Sequence, residues 1–216
     1  MICVSIAEKT PEENIKALKD IDFAEIRIDR MERPQIPGIK KIFSQHTRLI
    51  ASCRPGTISD QKRQTLLTTA ISAGAAYVDI GLGTDKRIKK TILEKARSTG
   101  CKVIVSYHNF KTTPAETELR DIIEECFVSG ADIAKIACMV HSDRENIILL
   151  GLLLDSRPLV VIGMGEKGKV TRIAAPILGS PFTYASLSSG RETAAGQLDK
   201  INLEKIFRII NLEYFQ

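Results

Sequence analysis

The chain of 216 residues has no tryptophan, and aromatics make up only 5% of it. Any core must therefore be aliphatic. No apolar run approaches the roughly 20 residues that a membrane-spanning helix needs, so no membrane association is expected. The opening segment, MICVSIAEKT, has no basic stretch ahead of its short apolar run, which is not the secretory signal pattern. The five cysteines (Cys3, Cys53, Cys101, Cys126, Cys138) are odd in number and form no CxxC pair, and there are only three histidines. Neither a zinc site nor a disulfide framework is expected from that spacing, and a reducing cytoplasm fits it. No G-x-G-x-x-G follows the first apolar strand, which removes the commonest dinucleotide-binding pattern. The net charge of +5 is mild. Its densest run, KRIKK at 86–90, falls at helical spacing and reads as a solvated face rather than a nucleic-acid patch. No metal, organic cofactor or nucleic-acid partner is expected.

What is present is an alternation of two periods along the whole chain. Short β-branched runs predict strands near 2–6, 23–28, 48–53, 76–80, 102–107, 133–137, 158–162 and 183–186. Amphipathic runs predict helices near 11–19, 36–45, 60–73, 86–98, 114–129, 142–154, 169–178 and 201–212. Thr10-Pro11-Glu12-Glu13 has the form of a helix N-cap with proline at the first position, and Thr113-Pro114-Ala115-Glu116 repeats it. Gly74, Gly100 and Gly130 each follow a helical run, where a left-handed residue is wanted. Eight β-α units in 216 residues leave about 27 residues each. That spacing predicts a single domain over 1–216 of the α/β class, a (β/α)8 TIM barrel with its site at the C-terminal strand ends. The rival is an open doubly wound sheet.

A barrel makes a geometric statement about alternate residues. One set must face the helices and be apolar; the other fills the interior. Ala24, Ile26 and Ile28 are the outer set of the second strand, which turns Glu25 and Arg27 inward. The same rule turns Arg54, Asp79, Ser106, His108 and Lys135 inward on the next four strands. Burying such charges without partners costs several kcal/mol each. A structural network is one reading, pairing Glu25 with Arg27 or Asp79 with Lys135. The excess of positive charge instead suits an anionic small-molecule substrate. An amine desolvated beside other cations loses its proton more readily and becomes a nucleophile, which makes Lys135 a candidate for imine formation with a carbonyl. His108, on the neighbouring strand, is the candidate base, and an unperturbed imidazole titrates near neutrality. The glycine-rich segment from Gly163 to Arg172 has two readings. It could cradle a phosphate, or Arg172 could clasp a carboxylate. The small, polar run from Ser188 to Gln197 reads as a lid or a plain loop. His46 and His141 carry no readable role beyond surface or capping.

These residues resemble the type I 3-dehydroquinate dehydratases. The resemblance runs through nearly the whole chain. It rests on Glu25-Ile26-Arg27-Ile28-Asp29, Ser52-Cys53-Arg54, Ser106-Tyr107-His108-Asn109-Phe110, Gly130 through Ala137, Met164 through Arg172, and Ala195-Gly196-Gln197. It implies a (β/α)8 barrel that removes water from 3-dehydroquinate through a Schiff base, without metal or cofactor, in a cytoplasmic enzyme that is often a homodimer. Carried over residue by residue, Lys135 corresponds to the imine-forming lysine and His108 to the general acid/base. Arg172 corresponds to the carboxylate-binding arginine, Glu25, Arg27 and Arg54 to polar groups around the ring, and Thr193 and Gln197 to lid contacts. Two positions depart from the pattern. Ile58 stands where bacterial members commonly carry a glutamate that pairs with the histidine, and Gly81 stands where a second acid often follows Asp79. Two other readings stay open: a class I aldolase whose Gly163–Arg172 loop holds phosphate, and a non-catalytic barrel that binds a small carboxylate.

Overall fold

The fold is described from a computed structural model, which covers residues 1–45, 47–56 and 58–210. His46 and the last two residues of the helix expected at 201–212 lie outside them. The strands are β1 (Ile2–Ile6), β2 (Phe23–Arg27), β3 (Arg48–Ser52), β4 (Tyr77–Gly81), β5 (Lys102–Asn109), β6 (Ile133–Met139), β7 (Leu159–Met164) and β8 (Thr183–Ser186). Between and after them run α1 (Pro11–Ala17), α2 (Ile36–Phe43), α3 (Asp60–Ser72), α4 (Lys86–Thr99), α5 (Glu116–Val128), α6 (Asp143–Gly151), α7 (Lys169–Ile177) and α8 (Lys200–Ile209). Every pairing is parallel, and the order is β7-β6-β5-β4-β3-β2-β1-β8. The order is sequential, and its two ends, β7 and β8, are neighbours in space. That describes a nearly closed barrel. A doubly wound sheet would reverse its order at a switch point.

Local chemistry sets the element ends. Thr10 and Glu13 form a reciprocal capping box at the start of α1. Asp85 accepts from the Arg87 and Ile88 amides at the start of α4, and Gly100 closes that helix at φ 75°. Lys86, Arg87 and Lys90 of the basic run face solvent there. The expected cap at Thr113 does not form. Its hydroxyl donates to the Met139 carbonyl at 2.8 Å, tying the loop to the end of β6, and α5 starts three residues later behind Ala115. The β5 and β6 ladders run two residues further than the apolar runs suggest, because His108 pairs with Ala137 and Asn109 with Cys138.

The alternation separates two layers of core. Val4, Ala24, Ile26, Leu49, Ala51, Val78, Ile80, Val103, Val105, Ala134, Ile136 and Val161 belong to the cluster that packs against the helices. Inside the barrel lies a second cluster, with Phe23, Ile50, Ile104, Val160 and Phe182 among its members. Phe23 packs edge-on against Phe182 at 5.1 Å and is tilted against Tyr77 at 5.7 Å. Four of the eleven aromatics of the chain, Phe23, Tyr77, Phe182 and Tyr184, meet in this floor. All five cysteines are buried and unpaired. Burial raises the Cys53, Cys101, Cys126 and Cys138 thiols to about 12, so they act as small apolar side chains.

Candidate active site

Above the aromatic floor, at the C-terminal strand ends, the barrel opens into a cavity of about 770 Å³. All eight expected site residues, Glu25, Arg27, Arg54, His108, Lys135, Arg172, Thr193 and Gln197, line it. The strand rule delivers the first five: Glu25, Arg27, His108 and Lys135 are inward residues of β2, β5 and β6, and Arg54 follows just past the end of β3. Arg172 comes from α7, and Thr193 and Gln197 come from the loop after β8.

Lys135 is 3% exposed. Its Nζ donates to Asp79 Oδ2 at 2.5 Å and to the Tyr184 hydroxyl at 3.2 Å, and it stands 4.5 Å from the Tyr184 ring centre. Glu25 Oε2 lies 3.5 Å away as a second anion. The cation-rich surrounding expected for this amine is therefore corrected, since its nearest charged neighbours are carboxylates. The Asp79–Lys135 pair of the structural reading exists. The Glu25–Arg27 pair does not, because Arg27 makes a two-pronged contact with Asp29 at 3.1 and 2.8 Å. Asp29 also accepts the Arg54 amide at 3.2 Å and so ties the ends of β2 and β3 together. For Asp79, burial alone would favour the neutral acid. The charges of Lys135 and then Arg54 outweigh that and hold the carboxyl well below the usual carboxylate range. Ser106 Oγ donates to its other oxygen at 2.6 Å.

His108 does not titrate near neutrality in this site. Burial, and then the positive charges of Arg54 and Lys135, push it well below the ordinary imidazole value. Its Nδ1 lies 2.8 Å from Arg54 Nη1, and its ring stacks on Phe110 at 5.9 Å. Ile58 is turned away into the outer apolar layer. The nearby acid, Asp60, is taken by Arg63 at 2.6 Å, and Arg63 also holds the Cys53 carbonyl at 3.0 Å. The histidine's close polar partner is thus an arginine.

Arg172 is fully buried, and among the described residues its bonds go to backbone carbonyls, Tyr184 at 3.5 Å and Ala195 at 3.3 Å. Its Nε has no partner among the described residues. Burial lowers its pKa to about 10. Lys135 and Arg63, the other buried cations among the described residues, each have a carboxylate within 4 Å, and Arg172 has none. The lid residues are tied in. Thr193 Oγ1 lies 2.8 Å from Ser5 Oγ, the Gln197 side-chain oxygen accepts the Thr193 amide at 2.8 Å, and Arg191 pairs with Glu8 of the segment after β1 at 2.6 Å. The glycine amides of 163–172 that a phosphate cradle would use are already engaged, Gly163 N–H by the Thr171 hydroxyl. Gly165 N–H donates to Ala195 and Gly168 N–H to Gly165. The glycines serve close backbone approach instead: a Cβ on Gly168 would lie 2.4 Å from the Gly163 carbonyl carbon. Sequence reasoning left Tyr184 unassigned. The signal was present, since its alternation in β8 places it inward.

Fold and site together define a (β/α)8 barrel enzyme built around a buried lysine on β6 and a histidine on β5. A family model for type I 3-dehydroquinase matches residues 2–213, and the chain belongs to that family. A 3-dehydroquinate dehydratase of Methanococcus maripaludis is 35% identical over 98% of this chain and 100% of that one. One of Methanocaldococcus jannaschii is 34% identical over 99% and 100%. Among solved structures, the 3-dehydroquinate dehydratase of Aquifex aeolicus superposes with a TM-score of 0.81 at 26% identity, covering all of both chains. The type I enzyme of Clostridium difficile superposes at 0.86 and 24% identity, covering 98% of this chain and 92% of that one.

Proposed function

We propose that this protein is a hydro-lyase that converts 3-dehydroquinate to 3-dehydroshikimate through an imine on Lys135. One observation carries the reading: a primary amine buried on the wall of a cavity whose lining also includes a histidine and a guanidinium without an anionic partner. The substrate offers a ketone for the amine and a carboxylate for Arg172. A carboxylate against that arginine forms a charge-assisted pair and satisfies a buried donor. Arg27, Arg54, Glu25, Thr193 and Gln197 are left for the ring oxygens.

The steps balance as follows. Lys135 gives up its ammonium proton and attacks the ketone carbon, the carbinolamine oxygen takes up that proton together with a second one from the nitrogen and leaves as water, and a protonated imine forms. Asp79 and Glu25 stabilise that cation as they stabilise the ammonium ion before it. The imine draws electrons from the adjacent carbon, and His108 takes the proton released there. The enamine expels the β-hydroxyl, which leaves with the proton His108 received. One water then cleaves the imine and frees Lys135. The net change is the loss of one water, with no redox step. A cytoplasmic location belongs to the same proposal and is supported by five buried, unpaired cysteines. A homodimer rests on the family resemblance alone and is read by light scattering.

The test is chemical trapping. Incubation with 3-dehydroquinate and borohydride is expected to leave a reduced adduct that peptide mass spectrometry locates on Lys135. Without borohydride, the absorbance of the conjugated product should grow. Absence of both sinks the proposal, and turnover of a phosphorylated aldol substrate in its place would favour an aldolase.

A further inference from the structure

The 2.8 Å contact between Arg54 Nη1 and His108 Nδ1 fixes more than a distance. A guanidinium has donors only and keeps its charge. Nδ1 must therefore be the acceptor, and the neutral ring carries its one proton on Nε2. Both ring nitrogens are then committed, one by a proton and the other by a hydrogen bond to its lone pair. A ring in this state cannot take a proton from carbon. It cannot give one either without becoming an imidazolate.

Four charged groups face the ring: Arg27 from β2, Arg54 from the end of β3, Asp79 from β4 and Lys135 from β6. Asp79 alone favours a charged ring, and it is already engaged by Lys135 and Ser106. Arg54 is the one of the four at hydrogen-bond distance. It is also the most adjustable. Its side chain is 23% exposed, and its other side-chain contacts, to Ser106 and Asp79, are both long at 3.5 Å. The stronger anchors sit behind it, where its amide is held by Asp29 and the preceding carbonyl by Arg63. The backbone is fixed, while the guanidinium is held in place by one short bond, the one to His108.

We propose that Arg54 is a positioning residue that masks His108 in the empty site and unmasks it when a substrate oxygen draws the guanidinium away. This rests on the reading of His108 as the acid/base group. The masked ring is protected from acid and idle; the released ring has a free Nδ1 lone pair. Proton transfer is then coupled to occupancy of the site.

Nitrogen-15 NMR of the imidazoles tests this, and with three histidines in the chain the variants H46Q and H141Q assign the signals. The substrate-free protein is expected to show His108 protonated on Nε2 and to keep it neutral as pH falls through 6.5, the ordinary histidine value. In R54M the Nδ1-protonated form should appear, and the midpoint should rise by about one pH unit or more. The acid limb of kcat/KM should move with it. The borohydride-reduced adduct on Lys135 should show the same rise in the wild-type chain. An Nδ1-protonated ring in the substrate-free protein overturns the mask, and so does an unchanged midpoint in R54M or in the adduct. The wild-type spectrum decides the tautomer even where R54M fails to fold. Loss of turnover and adduct formation in the wild-type protein would overturn the dehydratase reading, which the tautomer measurement does not depend on.

Discussion

The two ends of the barrel interior are built from the same strands, two residues apart, by opposite chemistry. On β2 the inward residues are Phe23, then Glu25 and Arg27; on β4, Tyr77, then Asp79; on β6, Ile133, then Lys135. The lower layer is apolar and its rings interlock. Each buried ring contributes about 1.5–3 kcal/mol of burial, and a well-placed ring pair adds about 0.5–1.5 kcal/mol. The upper layer holds ions that are dear to desolvate, and their mutual attraction only roughly offsets that. One pleat step therefore moves from residues that stabilise the barrel to residues the barrel must tolerate. Rigid packing beneath is what holds the charges above in place.

Four measurements would break or sharpen that contrast. The largest effect is expected from Lys135→Met. Turnover should fall by about 10⁴-fold or more, the scale seen when a covalent nucleophile is removed. The contrast is impure here, since Asp79 and Glu25 lose their counter-ion. Urea unfolding should show a loss of about 3–5 kcal/mol, which Lys135→Arg should reduce while remaining inactive. An active Lys135→Met variant would end the imine mechanism. Next, Phe182→Ala in the floor should lower stability by about 3–5 kcal/mol through cavity formation, with kcat per folded molecule nearly unchanged. A large fall in kcat would show that the floor does more than support.

Arg172→Met should be smaller and of mixed sign. The loss of a charged hydrogen-bonding partner of about 1.5–3 kcal/mol should raise KM roughly 10- to 100-fold. Stability in the absence of substrate should hold or rise, because a buried cation without an anion is removed. The smallest effect concerns pH. His108 is held below its unfolded value of about 6.5, so below that pH the unfolded chain binds a proton that the folded one refuses. Its contribution is complete above pH 6.5 and lost as pH falls toward the folded value, at up to about 1.4 kcal/mol per pH unit. Asp79 acts only lower, below the ordinary aspartate range. The N-terminal amine, lowered to about 6 by burial and Arg48, acts in both proteins alike. His108→Asn should therefore flatten the thermal-stability profile between pH 6.5 and 5. Parallel profiles would mean that the ring is already charged when folded.

The barrel was legible because its signal is periodic. Eight alternations of period recur along the chain, and the outer apolar set of each strand forces the inner set by elimination. The positions of Glu25, Asp79, His108 and Lys135 follow from that rule alone. Which of them touch was not legible. Whether Glu25 meets Arg27 or Lys135 depends on strand stagger and on a competitor, Asp29, two residues along the same chain. The environment of Lys135 was misjudged for a related reason. Counting charges in an interior does not order them by distance, and Asp79 stands nearest. The helix at 114–129 starts late because Thr113 bonds to a strand 26 residues away, which no local pattern announces.

The barrel is not sealed evenly. Among the described residues β7 and β8 share no ladder, and Arg172, on the helix after β7, reaches the Tyr184 carbonyl of β8. The seam is thus bridged by a side chain that lacks a counter-ion. The guanidinium left open for a ligand carboxylate is therefore the same group that spans the last gap between the staves, from the helix after β7 to the backbone of β8.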